Sequence, residues 1–389
     1  MSETYYFDHA ASAPRLDEVT EAMAPWQHGV VGNPSGSHRA AREARRAVEE
    51  ARDEVAAFVG AKPGGVIFTA GGTESCHLAV AGVTNHHRRS HESSEILIST
   101  VEHHAVSDAA EMMARDFDSV SVRYVDVDAE GVVNLDSLHD ALNENTALVS
   151  VMAVNNETGV RQPLDGVNSL AKSVVAGGIP THTDAVAAAP WLDLTMVTAT
   201  NDLISICAHK LGGPVNAGAL IVRNDVPFDA TIPGGGQERG RRGGTVDVAA
   251  VVGLATALRA TERDREDVND RVLDYQHKLM ASLSYLPGCL ITAPSAQRVP
   301  GTVHVTFEGL ASDELLFLLD QGGVCASAAA SCSSGAATQS HVLAAMGVSP
   351  ERARGSVRFS MGGETTDEDV DALIRILSGV VYRLSAGTS

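Results

Sequence analysis

Lysine is scarce in this chain of 389 residues. There are only four, Lys62, Lys172, Lys210 and Lys278, and the other basic residues are arginine. Positive charge is short altogether, with 29 basic residues against 49 acidic ones and a formal net charge of −20. An excess of that sign disfavours direct contact with nucleic acid or anionic lipid. Cysteine is also sparse, and Cys76, Cys207, Cys289, Cys325 and Cys332 are odd in number and scattered. That argues against a disulfide framework, and since none forms a CxxC pair or a His/Cys cluster with zinc spacing, a structural metal is not expected either. A reducing, cytoplasmic setting is the expectation. No apolar run approaches the roughly 18–20 residues of a membrane span. The start, Met1-Ser2-Glu3-Thr4, lacks the basic and apolar segments of a secretory signal.

Hydrophobic residues make up 44% and charged residues 20%, ordinary for a globular protein long enough for one large and one smaller domain. Short apolar runs alternate with helical stretches. The runs at Val66–Ala70, Glu95–Thr100, Val120–Val125, Ala147–Val154, Thr181–Asp184, Asp202–Cys207 and Ala217–Val222 read as strands. Amphipathic segments such as Arg39–Val59 lie between them. This alternation predicts an α/β fold with a mostly parallel seven-stranded sheet, covered on both faces, whose ligand binds at the carboxyl ends of the strands. The glycine-rich stretch 234–244 reads as an exposed loop. A long helical region, Val246–Ser284, follows it, and the chain closes on a helix at Asp367–Leu384. The expected division is a large domain of residues 17–262 and a smaller α+β domain of residues 1–16 and 263–389.

Lys210 stands apart from the other lysines. It closes an apolar strand, in Ser205-Ile206-Cys207-Ala208-His209-Lys210-Leu211-Gly212-Gly213. An amine at the mouth of a sheet, removed from water, acquires the lowered pKa of a nucleophile. Asp184 ends another strand. It can cap a helix, or it can face the pyridine nitrogen of pyridoxal phosphate and keep that nitrogen protonated. Thr69-Ala70-Gly71-Gly72-Thr73-Glu74-Ser75 follows a strand and opens a helix, which makes its free N–H groups a phosphate site. The three features together point to pyridoxal 5′-phosphate held by Lys210. His103, in Glu102-His103-His104, is either a surface histidine or a ring stacked on the cofactor that moves protons. The stretch 326–337 consists almost entirely of Ala, Ser, Gly and Cys and reads as a mobile loop with an exposed, reactive Cys332. Cys325 falls nearer a strand and is expected to pack. Arg358, on an alternating strand, forms either a surface salt bridge or a bidentate clamp for a substrate carboxylate.

Together these residues resemble the cysteine desulfurases of the class V aminotransferase superfamily, fold type I of the pyridoxal-phosphate enzymes. The resemblance runs over nearly the whole chain. It includes Asp8-His9-Ala10-Ala11, Gly32-Asn33-Pro34-Ser35, Thr73-Glu74-Ser75, Asn155-Asn156-Glu157-Thr158-Gly159, His209-Lys210, the stretch 234–245, Ser331-Cys332-Ser333-Ser334-Gly335 and Ser340-His341-Val342-Leu343. It implies that Lys210 carries the cofactor, that Asp184 faces its ring nitrogen and that His103 stacks on it. Asn156 would lie near its phenolic oxygen and the substrate. Thr73, Gly72 and His209 would bind its phosphate, and Thr245 would reach the phosphate of a neighbouring subunit, which implies a homodimer. Arg358 would hold the carboxylate of L-cysteine. Cys332, in a loop at about 325–338, would take the sulfur as a persulfide and pass it to an acceptor or scaffold protein, as in iron–sulfur cluster assembly.

Two positions depart from the family pattern. Ala187 stands where a glutamine meets the phenolic oxygen. Cys207 stands where a serine meets the phosphate, and a thiol is the weaker donor. Selenocysteine lyase, a small amino-acid aminotransferase and a non-catalytic assembly partner are the alternatives to a desulfurase.

Overall fold

The computed structural model describes residues 4–175, 177–223, 226–328 and 339–387. The short strand β1 (Tyr5–Tyr6) comes first. The next strands are β2 (Val66–Thr69), β3 (Ser94–Ser99), β4 (Val120–Val125), β5 (Thr146–Ser150), β6 (Thr181–Asp184), β7 (Leu203–Cys207) and β8 (Gly218–Val222). They form one sheet in the order β2-β8-β7-β6-β5-β3-β4. All neighbours pair in parallel except β8, which runs antiparallel to both β2 and β7. The seven apolar runs of the sequence are these seven strands. The largest difference is at β5, expected to reach Val154 but ending at Ser150. Beyond it Asn155 turns the chain, its Oδ1 accepting from the backbone N–H groups of Glu157 and Thr158.

Side chains alternate across a strand, and here both faces are buried. Ile67, Ile96, Ile98, Leu148, Leu203 and Leu220 pack on one face, against the helices Gly72–His87 and His104–Asp116. Phe68, Leu97, Val149, Ile204, Ile206 and Ile221 pack on the other, against the helix Arg39–Phe58 and the first part of the helix Val248–Leu283. Apolar residues on both faces explain why β2, β3, β5, β7 and β8 read as apolar runs, whereas edge strand β4 is partly exposed and β6 is polar.

A second core gathers Phe7, Val272, Leu279, Val305, Phe307, Val357, Phe359 and Leu373. Its strands are β9 (Cys289–Ile291), β10 (Thr302–Phe307), β11 (Val324–Cys325) and β12 (Ser356–Ser360). β12, β10 and β9 form an antiparallel sheet, and β1 pairs in parallel with β11. The helix Val248–Leu283 enters both cores, through Val248–Leu258 in the first and Val272–Leu283 in the second.

Two local expectations need correction. The polar–apolar alternation of β12 is real, but its polar face is not solvated: Ser356, Arg358 and Ser360 are all buried. The segment around Asp8 and the Asn156 turn cover that face. The glycine-rich stretch is not wholly an exposed loop. Gln237–Gly240 makes a short 3-10 turn, and Glu238 is buried, drawn inward by Arg52.

Candidate active site

Strand register brings the site together. Thr69 of β2 and Cys207 of β7 both pair with Gly218 of β8, so the carboxyl ends of β2 and β7 emerge at one edge. Asp184 of β6 pairs with Ser205 of β7 and lies at the same edge. The glycine turn after β2, Asp184, and the turn His209–Leu211 beyond β7 therefore converge where an open α/β sheet binds ligands.

Lys210 sits in that 3-10 turn, three residues past the end of its strand. Burial holds its pKa below the usual lysine range, and Arg358 adds to this, while Asp184 and Asp8 oppose it. Its Nζ donates to the carbonyl oxygen of Ala10, and to that of Ala11 at 3.0 Å. Asp184 is buried, and its Oδ1 accepts from the Val186 N–H at 2.9 Å. The strand that carries it, Thr181-His182-Thr183-Asp184, has no aliphatic side chain, yet it lies in the middle of the sheet. Most of its polar groups are satisfied: Thr181 Oγ1 donates to Asp202 Oδ2 at 3.2 Å, whereas Thr183 Oγ1 is buried without a hydrogen-bond partner among the described residues. His182 spans from Ser150 Oγ at 2.8 Å to Ser205 Oγ at 2.9 Å. Burial lowers the His182 pKa to about 3, so this ring stays neutral.

His103 caps the helix His104–Asp116. Its Nδ1 accepts from the Ala105 N–H at 3.0 Å. Nδ1 therefore carries no proton, and the neutral ring bears its hydrogen on Nε2. Burial lowers its pKa, against the opposing charge of Asp184. The ring thus offers a donor at Nε2, and it can become protonated at Nδ1 only by giving up the cap. His104, beside it, lies against the ring of His341, with centroids 4.9 Å apart.

The helix Gly72–His87 opens on Gly71, whose φ of +142° suits glycine. A Cβ on Gly72 would stand 2.9 Å from Val186 Cγ2, so any larger residue there must displace the Val186 side chain. Gly71, Gly72, Thr73, Glu74, His77 and His209 line a groove of about 660 Å³. The one acid in the helix's first turn, Glu74, is engaged by Arg242 at 2.7 and 3.1 Å, so its charge does not oppose an anion unbalanced. Cys207 is buried beside Gly72, and burial pushes its thiol up to about 12.

On the other side of Lys210, a cavity of about 450 Å³ runs between the two cores. His9, Asn155, Asn156, Ala187, Lys210 and Met361 are among its lining residues. Arg358 is not one of them. It lies next to Asn156, donating from Nη1 to the Asn156 carbonyl oxygen at 2.8 Å and from Nη2 to Asp8 Oδ1 at 2.8 Å. Its salt bridge is buried rather than on the surface. Thr245 is exposed and does not line the groove of its own chain. Cys332 lies outside the described residues. Cys325 is half-buried in β11, and Cys76, Cys207, Cys289 and Cys325 are free thiols.

Several residues at the site carry no local signal in the sequence. Glu102 is fully buried and accepts from Ser99 Oγ at 2.6 Å and the Met152 N–H at 2.7 Å. Burial raises its carboxyl pKa to about 8. Glu157, also buried, accepts from Ser340 Oγ at 2.6 Å. Asp8 stood in a quoted motif, but nothing nearby in the sequence shows that it meets Arg358.

An amine, a carboxylate and a glycine cradle for phosphate at one sheet edge fit pyridoxal phosphate. The model of the family described as aminotransferase class V matches residues 5–373. The IscS-like cysteine desulfurase of Mycobacterium tuberculosis is 40% identical over 383 residues, covering 97% of this chain and 96% of that relative. The chain belongs to the class V aminotransferase family. Within it the chain groups with the cysteine desulfurases, and its cofactor is pyridoxal phosphate. Among solved structures, a NifS-like protein superposes with a TM-score of 0.89 at 32% identity, over 98% of this chain and 99% of that one. The structure described as SspA in complex with cysteine gives 0.80 at 31% identity, over 93% and 100%. Ala187 lines the cavity beside Lys210, and Cys207 lies buried behind Gly72, outside the lining of the groove, with its thiol protonated.

Proposed function

We propose that the chain is a cysteine desulfurase that works through Lys210 and Cys332. The observation that carries this reading is the meeting of Lys210, Asp184 and the Gly71–Gly72 cradle at one sheet edge, in a chain similar to cysteine desulfurases. Bound pyridoxal phosphate supplies an electron sink for chemistry at the substrate's α-carbon.

The residues divide the work. Lys210 would hold the cofactor and would move the α-proton, for which its lowered pKa suits it. Asp184 would keep the ring nitrogen protonated, while Thr73, Gly72 and His209 would hold the phosphate, with the buried Cys207 behind them where the family pattern has a serine. His103 stacks on the ring and donates from Nε2. Asn156 and Arg358 receive the substrate, Arg358 at its carboxylate. The C–S bond of L-cysteine breaks, the sulfur joins the Cys332 thiol as a persulfide, and the carbon skeleton leaves as L-alanine.

In this reading the chain divides near residue 262, and residues 1–16 complete the smaller domain. Thr245 reaches the phosphate of a second copy, making a homodimer. The persulfide passes to an acceptor protein in a reducing compartment such as the cytoplasm. Among the described residues no helix is long and apolar enough to cross a membrane.

The test is alanine and sulfide released from L-cysteine with a reductant, for the natural chain and for Cys332→Ala. Equal release by the first and loss in the second support the proposal. Full activity of Cys332→Ala overturns the assignment of the nucleophile. Borohydride reduction followed by peptide mass spectrometry should place the cofactor on Lys210, and label on any other residue overturns that role.

A further inference from the structure

The motif Asp8-His9-Ala10-Ala11 has no part in the roles above, yet it lies between the two charges a substrate amino acid must meet. Its backbone is tied to β12. The Ser360 carbonyl oxygen accepts from the His9 N–H at 3.3 Å, and Ser360 Oγ accepts from the Ala10 N–H at 2.9 Å. From that position the carbonyl groups of Ala10 and Ala11 receive Lys210 Nζ, and the Asp8 carboxylate receives Arg358 Nη2. One short segment therefore fixes both the amine and the guanidinium.

The Arg358 side chain is only 5% exposed, and Asp8 is its one ion-pair partner among the described residues. Its Nε is buried without a hydrogen-bond partner among them. The orientation of the guanidinium thus rests on two anchors, Asp8 Oδ1 and the Asn156 carbonyl oxygen. A buried cation deprived of its carboxylate is costly and shifts to recover a partner. A planar guanidinium recognises a carboxylate only when its plane is correctly turned.

We infer that Asp8 is a positioning residue for the substrate's α-carboxylate, acting by holding the Arg358 guanidinium in its receiving orientation. This rests on the proposed role of Arg358. Asp8 touches no reacting atom. It also balances the Arg358 charge close to Lys210, where the two act in opposite directions.

The experiment measures L-alanine and ethylamine binding to the holoenzyme by calorimetry, ethylamine being alanine without its carboxylate. Asp8→Ala should weaken L-alanine about tenfold, the typical loss for a hydrogen bond to a charged group, and leave ethylamine unchanged. Asp8→Asn keeps an acceptor oxygen but not the charge, and should weaken L-alanine less than Asp8→Ala does. Adding Asp8→Ala to Arg358→Ala should weaken L-alanine no further. Should the alanine variant not fold, Asp8→Glu moves the carboxylate by one methylene and should weaken L-alanine alone. Equal loss for both ligands, or L-alanine binding that is unchanged or tighter in Asp8→Ala, overturns the inference. If Arg358→Ala weakens L-alanine and Asp8→Ala does not, only the inference falls. If Arg358→Ala binds L-alanine normally, the clamp falls and the inference with it.

Discussion

The Arg52 guanidinium grips the Glu238 carboxylate inside the core, with Nη1 to Oε2 at 2.8 Å and Nη2 to Oε1 at 2.9 Å. Glu238 Oε2 also accepts from the Phe68 N–H at 2.9 Å, one residue before the end of β2. The pair pins the glycine-rich turn, where Glu238 has a φ of +47°, to the strand that leads into the phosphate cradle. Arg52→Ala leaves a carboxylate buried without its cation and should cost about 3–5 kcal/mol. Urea unfolding checks this. Arg39→Ala, which breaks an exposed pair with Glu43, should leave the midpoint unchanged.

Glu102 makes stability depend on pH in an unusual direction. Its folded pKa, about 8, lies above its ordinary value of 4.5. Between those values the folded chain holds a proton that the unfolded chain releases, so stability falls as pH rises through this window and levels off above it. The loss is on the order of a few kcal/mol. Glu102→Gln removes this dependence. The urea midpoint of the natural chain should therefore drop relative to the variant between about pH 5 and pH 8, where unfolding series on both proteins reveal the widening gap.

His103 combines a helix cap with its proposed place at the cofactor ring. Asparagine is also a good cap. His103→Asn should keep the stability of the natural chain within about 0.5 kcal/mol and still lose most of the activity, whereas His103→Ala should in addition lose about 1 kcal/mol. Activity and urea unfolding measured on the same samples separate the two functions. Unchanged activity in His103→Asn would remove the ring from the reaction.

Gly218 keeps β8 close against the glycine turn. A Cβ there would stand 2.7 Å from the Gly71 carbonyl carbon and 2.8 Å from the Ile206 oxygen. Gly218→Ala must displace the turn, at about 1–3 kcal/mol. Cofactor retention, read from the absorbance of the purified protein, should fall well below that of the natural chain.

The sequence by itself determined the parts that are local in the chain. Seven short runs became seven strands; for the inner aliphatic ones, burial on both faces leaves an unbroken apolar signature, whereas β6 is polar and edge strand β4 is partly exposed. Lys210, Asp184 and Gly71–Gly72 stood out for a related reason: each stands at the end of a strand or within three residues beyond it, and the carboxyl ends of parallel strands in such a sheet share one edge. Only the tertiary structure decided what meets across long separations. Asp8 pairs with Arg358 over 350 residues, and Arg52 pairs with Glu238 over 186. The pattern of β12 gave its alternation but not the segment that covers its polar face. Burial of Glu102 and the tautomer of His103 depend in turn on which hydrogen bonds the folded backbone offers. Periodicity records which side of an element is apolar, and it holds no record of the partner that comes to lie against the other side.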